Sequence, residues 1–421
     1  MKLLNKYKNL ESKQIAKNFF FLSVLQVLNI VLPFLTVPYL ITTLGMENFG
    51  VLSFINTIIF IFSVLVEFGF NNSATKEISI QPELNKLSKI VSEVLTAKLF
   101  LLAFALGLLF LMVLVIPKFQ NYYNLYLLNS ITLVGMCLFP LWFFHGIQQM
   151  KFITYINVFF KTFFTLCIFI FVKQKTDIDL VILFNSLAYF MAGVVSLLVL
   201  RYKFSIKIYI ASFHSVKERL KEAYHLFLSD FYMVGLSYTN VIVLGFFSSD
   251  YHLGLYSTAD KVIRLFSNMF SPVINALYPH VTKTISINKE KGLQLAQRIL
   301  KIGAGVILAL LIPAFVFTEF FLQIVFPKED LENISKIATI YRILTLFPLL
   351  SFIDQVYGKL MLIPTGNERN FSKVFFISSL INVILSVVLT FSFDYIGTAI
   401  SAIIIQFLIC FGMYYYTKKS I

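Results

Sequence analysis

Five basic residues stand inside stretches that are otherwise almost wholly apolar: Lys98, Lys161, Lys261, Arg264 and Arg342. A lysine or arginine at the centre of a membrane helix costs about 2.5–3.5 kcal/mol on insertion scales. Residues of this kind face a bundle interior or a wet cavity and mark candidate substrate paths. Their shared chemistry is recognition of an anion, because Arg and Lys are the natural partners of phosphate. Lys161 sits near the middle of its stretch, too deep to reach either surface, so a cavity role is expected. Lys261 and Arg264 are three apart and share a helix face. Arg342 lies in the outer half of its stretch. Lys98 lies a short way in, where it either lines the same path or snorkels to the cytoplasmic surface.

The acidic residues in comparable positions are Glu67, Asp230, Asp260, Glu319 and Asp354, most of them close to the ends of apolar runs. Glu67 and Asp230 are expected near cytoplasmic ends, able to close an inner gate by pairing with basic loop residues. Any of the five could carry a coupling ion, and spacing selects none of them. Gln26 and Asn29 share one face of the first run. They either hydrogen-bond a sugar or tie down a helix loosened by Pro33 and Pro38. No glycine-rich phosphate loop, HExxH or GxSxG occurs. The five histidines (His145, His214, His225, His252 and His280) are scattered, so no metal site is expected. Cys137, Cys167 and Cys410 lie in separate apolar runs and imply no disulfide framework. A transporter without cofactor, driven at most by a proton or sodium gradient, fits better than an enzyme.

The elements that must position these residues follow from composition. Of 421 residues, 58% are hydrophobic and 13% charged. A soluble domain carries about a quarter charged residues. Mean hydropathy is +0.82. A bilayer crossing takes about 20 mostly apolar residues in a helix. Such runs lie near 18–44, 48–72, 91–116, 121–146, 152–172 and 178–200, then near 222–247, 256–282, 302–326, 337–362, 371–392 and 395–417. Prolines inside them, Pro33, Pro38, Pro140, Pro272 and Pro348, predict kinked or broken helices. With the N-terminus inside, twenty-five Lys and Arg fall in cytoplasmic segments and five in the opposite loops. That asymmetry predicts both termini in the cytoplasm. It also accounts for the net charge of +14, so no nucleic-acid partner is expected. The basic start of the chain, with Lys2, Lys6, Lys8, Lys13 and Lys17, reads as an interfacial segment rather than a cleavable signal.

A weak internal repeat organises the runs. Leu44-Gly45 and Gly50-Val51-Leu52-Ser53 are echoed by Leu244-Gly245 and Gly254-Leu255-Tyr256-Ser257. Thr75-Lys76-Glu77-Ile78-Ser79 is echoed by Thr282-Lys283-Thr284-Ile285-Ser286. Six runs per copy predict parallel repeats related by an axis along the membrane normal, with a substrate path between them. The expectation is an all-α integral membrane protein of about twelve spans in two six-helix lobes, 1–210 and 211–421. The junction is the basic stretch Arg201 to Lys221.

Particular motifs resemble bacterial polysaccharide flippases of the Wzx type. They are Gln26-x-x-Asn29-x-x-x-Pro33-x-x-x-x-Pro38-Tyr39-Leu40, Glu47-x-Phe49-Gly50 and Glu67-Phe68-Gly69-Phe70-x-x-Ser73-Ala74-Thr75. Pro140-Leu141-Trp142-Phe143-Phe144-x-Gly146, Gly254-x-Tyr256-Ser257-x-Ala259-Asp260-Lys261, Ala276-Leu277-Tyr278-Pro279 and Gly397-Thr398-Ala399 continue the resemblance along nearly the whole chain. The chain departs from that pattern at Lys76 and His280, where the family often has arginine, at His145 in place of a frequent glutamine, and at Gln148-Gln149 in place of an acid. The resemblance implies the multidrug/oligosaccharidyl-lipid/polysaccharide exporter superfamily, with a MATE-like V shape and alternating access. It implies an undecaprenyl-pyrophosphate-linked oligosaccharide as substrate, an O-antigen or capsule repeat unit moved across the bacterial cytoplasmic membrane. It further implies a polysaccharide polymerase and a chain-length regulator as partners. A drug or cation antiporter of the same fold and a membrane polysaccharide polymerase are the competing readings. The short external loops leave little room for the polymerase.

Overall fold

The computed structural model describes the backbone of residues 2–81 and 83–420, and the side chains of these residues except 2–13, 15, 16 and 420. The side chains of Lys2, Lys6, Lys8 and Lys13 therefore lie outside the described residues. Among the described residues the regular structure is helical throughout, with no strand. Ten stretches among the described residues are long and apolar enough to cross a membrane. The expected run 256–282 is not among the ten, although it is helical within Asp250–Ile287. Asp260, Lys261 and Arg264 dilute its hydropathy. The last two expected runs share one 53-residue helix, Glu368–Ser420, whose arms meet at Asp394 with φ 54° and ψ −137°.

Contacts gather the chain into two compact units, Met1–Leu32 with Ile55–Phe231 and Pro33–Phe54 with Tyr232–Ile421. The seams fall inside helices, for reasons visible in each unit.

The first unit holds the start of α1 (Lys2–Leu44), the end of α2 (Met46–Glu67), then α3 (Phe70–Ser79), α4 (Leu84–Val115) and α5 (Pro117–Gln120). It continues with α6 (Tyr123–Leu138), α7 (Leu141–Gly146), α8 (Met150–Phe171), α9 (Ile178–Lys203) and the start of α10 (Phe213–Phe247). Two helices are interrupted where the sequence demands it. Between α2 and α3 the chain turns through Phe68 and Gly69, both at positive φ, and a Cβ on Gly69 would stand 2.7 Å from that of Leu226. Between α6 and α7 stands Pro140, which has no N–H to continue the ladder. Short α7 drives Trp142, Phe143 and Phe144 into a core completed by Phe70, Ala74 and Ile78 at four-residue spacing and by Val91, Val94 and Leu95. The first turns of α10 belong here because Arg219 bonds Glu77 of α3 and both Nε and Nη2 donate to Glu93 of α4 at 3.0 and 2.8 Å.

The second unit holds the remaining parts of α1, α2 and α10, then α11 (Asp250–Ile287), α12 (Lys289–Val316), α13 (Thr318–Val325), α14 (Leu331–Leu344), α15 (Phe347–Gln355) and α16 (Glu368–Ser420). Seven residues after α15, Val356–Leu362, are π-helical. Pro272 and Pro279 lie inside continuous α11, as Pro33 and Pro38 do inside α1, whereas Pro348 starts α15. The beginning of α2 belongs here because of its crossing with α11. A Cβ on Gly50 would fall 1.9 Å from the Asp250 carbonyl oxygen, and one on Gly254 would fall 2.0 Å from that of Met46. Each glycine thus faces the carbonyl four residues before the other, so the two copies of the Gly-x-x-Ser motif touch reciprocally.

Alanine at Gly50 or Gly254 would force two backbones apart, and overpacking of this kind costs about 1–3 kcal/mol. Gly107 of α4 has open space around it. Thermal unfolding of the detergent-solubilised protein should fall by several degrees for Gly50→Ala and Gly254→Ala and stay level or rise for Gly107→Ala. Equal behaviour of all three would contradict the crossing.

Candidate functional site

In the first unit Lys161 projects from the middle of α8. Its Nζ donates to Asn29 Oδ1 of α1 at 2.9 Å and stands 5.6 Å from the Tyr189 ring centroid of α9. Among the described residues no carboxylate lies within ion-pairing distance of it. The amide oxygen and the π-face orient the ammonium without neutralising it. Asn29 therefore holds the lysine, and Gln26 lies one turn earlier on the same helix.

Lys98 behaves differently. It is 0% exposed, so it neither snorkels nor lines an open path. Its Nζ donates to Glu67 Oε1 and to the Met136 carbonyl, each at 2.9 Å. That carbonyl is available because its helical acceptor role would fall to the N–H of residue 140, which is proline. A sequence feature that looks like a helix breaker thus supplies a ligand for a buried cation. Glu67 meets α4 instead of a loop lysine, and Asp230 forms no ion pair among the described residues, so the expected inner-gate pairing with basic loops is absent from both.

In the second unit Lys261 turns toward α2, its Nζ 4.3 Å from the Phe49 ring centroid and 3.3 Å from Ser53 Oγ. It too has no carboxylate within ion-pairing distance among the described residues. Arg264, one turn on, is engaged: Nε donates to Asp260 Oδ2 at 2.7 Å and Nη2 to the Ser237 carbonyl at 3.3 Å, with Phe347 beneath the guanidinium at 5.4 Å. Arg342 stands apart, in a half-exposed pair with Glu319 at 3.1 Å. The expected single cationic group of Lys261, Arg264 and Arg342 is thereby divided, since only Lys261 keeps an unneutralised charge. Asp354, buried at the end of α15, accepts a hydrogen bond from Gln406 of α16 beside the π-helical turns. Interrupted helices of that type are frequent at functional sites.

Sequence reasoning missed several polar arrangements. Arg219 lies in the basic stretch between Arg201 and Lys221, and it organises Glu77 and Glu93. His252 pairs with Asp394 at 2.6 Å, and Ser248 donates to the same carboxylate. Nothing in the spacing of residues 248, 252 and 394 announces that meeting. Among the described residues no group of three or more His, Cys, Asp or Glu could hold a metal ion.

The family described as "Polysaccharide biosynthesis protein" matches residues 15–285. A protein of Escherichia coli (strain K12) named "Putative O-antigen transporter" is 28% identical over 417 residues, covering 98% of this chain and 99% of the relative. A Shigella dysenteriae protein of the same name is 25% identical over 398 residues, covering 94% and 98%. Among solved structures, the lipid II flippase MurJ in an inward closed conformation superposes with a TM-score of 0.77 at 13% identity, covering 95% of this chain and 87% of that one. An inward-facing multidrug MATE transporter of the MOP superfamily gives 0.71 at 13% identity, covering 92% and 94%. These structures share the fold.

Removing one member of a buried ion pair costs about 3–5 kcal/mol, whereas replacing both by apolar residues is often neutral. Lys98→Met and Glu67→Leu should each lower the yield of monodisperse protein sharply, and Lys98→Met/Glu67→Leu should recover most of it. Size-exclusion profiles of the three variants decide this. A double variant as poor as the sum of the singles would show that the pair is not a closed unit.

Proposed function

The chain belongs to the polysaccharide biosynthesis protein family, and on that premise we propose that it is a flippase for a lipid-linked oligosaccharide. The proposed substrate is an undecaprenyl-pyrophosphate-linked O-antigen or capsule unit, carried from the inner to the outer leaflet of the bacterial cytoplasmic membrane by alternating access. The observation that carries this reading is Lys161, a mid-helix cation oriented by Asn29 and Tyr189 with no carboxylate within ion-pairing distance among the described residues. A charge held within an apolar span without a counter-ion is expensive, and a pyrophosphate arriving with the substrate would supply one. Lys261 offers a second charge of the same kind. The O-antigen transporter relatives and the lipid II flippase support the same substrate class.

The MATE likeness keeps the cation antiporter in view as a fold. Its substrates would need open carboxylates, but Glu67 is paired with Lys98, Asp260 with Arg264 and Glu319 with Arg342. Of the five acids Glu67, Asp230, Asp260, Glu319 and Asp354, that leaves only Asp230 and Asp354 without an ion-pair partner among the described residues. We further read both termini as cytoplasmic, from the distribution of Lys and Arg. A polysaccharide polymerase and a chain-length regulator would act on the unit once it is across. Proton or sodium coupling would have to use one of the partnered acids or Asp230.

Two measurements test the reading. In spheroplasts of a deletion strain, lipid-linked units should accumulate where an impermeant lectin or glycosidase cannot reach them, and restoring the gene should reverse this. Lys161→Ala should reproduce the accumulation at normal protein level, with Lys161→Arg milder. Units that remain accessible from outside, with no competing flippase present, would overturn the proposal. For topology, Lys175→Cys should react with an impermeant thiol reagent in intact cells and Lys207→Cys should not.

A further inference from the structure

The basic connection between α9 and α10 carries more structure than a linker needs. After Lys203 the chain has no regular secondary structure over residues 205–212, and residues 207–211 lie along α4. The backbone N–H groups of Lys207, Tyr209 and Ala211 donate to Ser88 Oγ, Ser92 Oγ and Thr96 Oγ1 at 3.2, 3.1 and 3.1 Å. Four helical residues rise about 6.0 Å and two extended residues about 6.6 Å, so hydroxyls at every fourth position meet amides at every second. The hydroxyl protons of Ser92 and Thr96 go back to the carbonyls of Ser88 and Ser92 at 2.7 Å, which leaves their lone pairs for the strap. In water these amides would need no such partners. Three of the strap's eight backbone donors are satisfied in this way, which suits the edge of an apolar phase.

What the strap displays fits that setting. Tyr202, Ile210 and Phe213 are 77%, 89% and 72% exposed, and Ile208 and Tyr209 are exposed as well. The Phe213 ring meets Phe100 edge-on at 6.3 Å, and Phe100 belongs with Leu99, Phe104 and Phe110 to the exposed apolar flank of α4. The apolar side chains of the strap thus continue the exposed apolar surface of a helix long and apolar enough to cross a membrane. Around them Arg201, Lys203, Lys207, Lys217 and Lys221 are exposed and have no ion-pair partner among the described residues. Of the nearby acids, Glu222 pairs with Arg219, and Glu218 lies 3.2 Å from His214 Nε2.

We infer that residues 201–221 are a binding surface for anionic phospholipid headgroups, with Tyr209, Ile210 and Phe213 at the boundary of the hydrocarbon and the lysines over the headgroups. Basic side chains beside exposed aromatic and aliphatic ones are the recognition chemistry of an anionic bilayer surface. The hydroxyl ladder on α4 fixes the strap at that depth. This surface is independent of the transported substrate.

The test uses the whole protein carrying Ile210→Trp, reconstituted into phosphatidylcholine vesicles. The natural Trp142, fully buried, gives a baseline measured on the unsubstituted protein. Dibrominated phosphatidylglycerol should quench the added emission at least about twofold more than the same amount of dibrominated phosphatidylcholine. The excess should vanish in a background of Lys203→Gln, Lys207→Gln, Lys217→Gln and Lys221→Gln. Raising salt should also reduce it in the singly substituted protein, which covers a charge variant that fails to fold. Absence of quenching by either lipid, equal quenching by both, or an excess indifferent to salt would each overturn the inference.

Discussion

The constraint on which the rest depends is that an apolar medium gives a polar group no substitute for a partner. Everything polar inside a chain of this composition must find its counterpart within the protein. The structure meets that demand with charge against charge where it can. Lys98 meets Glu67, Arg264 meets Asp260, and Arg219 draws Glu77 and Glu93 together. Where a third ligand is needed, the backbone provides it, as the Met136 carbonyl does beside Pro140. Against this background Lys161 and Lys261 stand out because they are oriented by neutral groups alone. Their charges are held in place without being satisfied, and that difference separates a binding group from a structural one.

Much of this was legible in the sequence. Hydropathy located the helices, because crossing length and apolar content are local properties. The run 256–282 was legible too and lies inside α11, although the residues that make that helix chemically interesting also lower its hydropathy. The repeat motifs were legible as matching words, and their meaning emerged only from Gly50 and Gly254 facing each other's backbone. Lys161 could be singled out from its depth alone. The roles of Lys98 and Arg342 could not, since pairing depends on which helix lies opposite. Glu67 precedes Lys98 by 31 positions, and Glu319 precedes Arg342 by 23. No periodicity within one helix encodes such meetings. The hydroxyls at 88, 92 and 96 are a case between the two. Their four-residue spacing marks a helix stripe, but a stripe of hydroxyls says nothing about a segment lying along it.

Prolines and glycines work at opposite ends of the same constraint. Pro140 liberates a carbonyl where a cation needs one, and Gly69 lets the chain turn where α3 must depart from α2. Asp394 does without either, occupying positive φ within α16 while its carboxylate engages His252 and Ser248. A non-glycine residue in such a region costs about 1–3 kcal/mol and persists only when its surroundings hold it. Here two side-chain bonds do the holding.

The reciprocal crossing of α2 and α11 has the form of an isologous contact, in which residue i meets j and j meets i about a two-fold axis. In a single chain no symmetry operator requires this. It arises naturally if both copies of the motif descend from one ancestral segment that met itself in a dimer. In such an ancestor one glycine codon would have served both sides of the crossing, and one substitution would have spoiled both at once. After fusion into a single gene each side can vary alone. The pair at positions 50 and 254 is then the place where a change on either side is felt by the backbone of both.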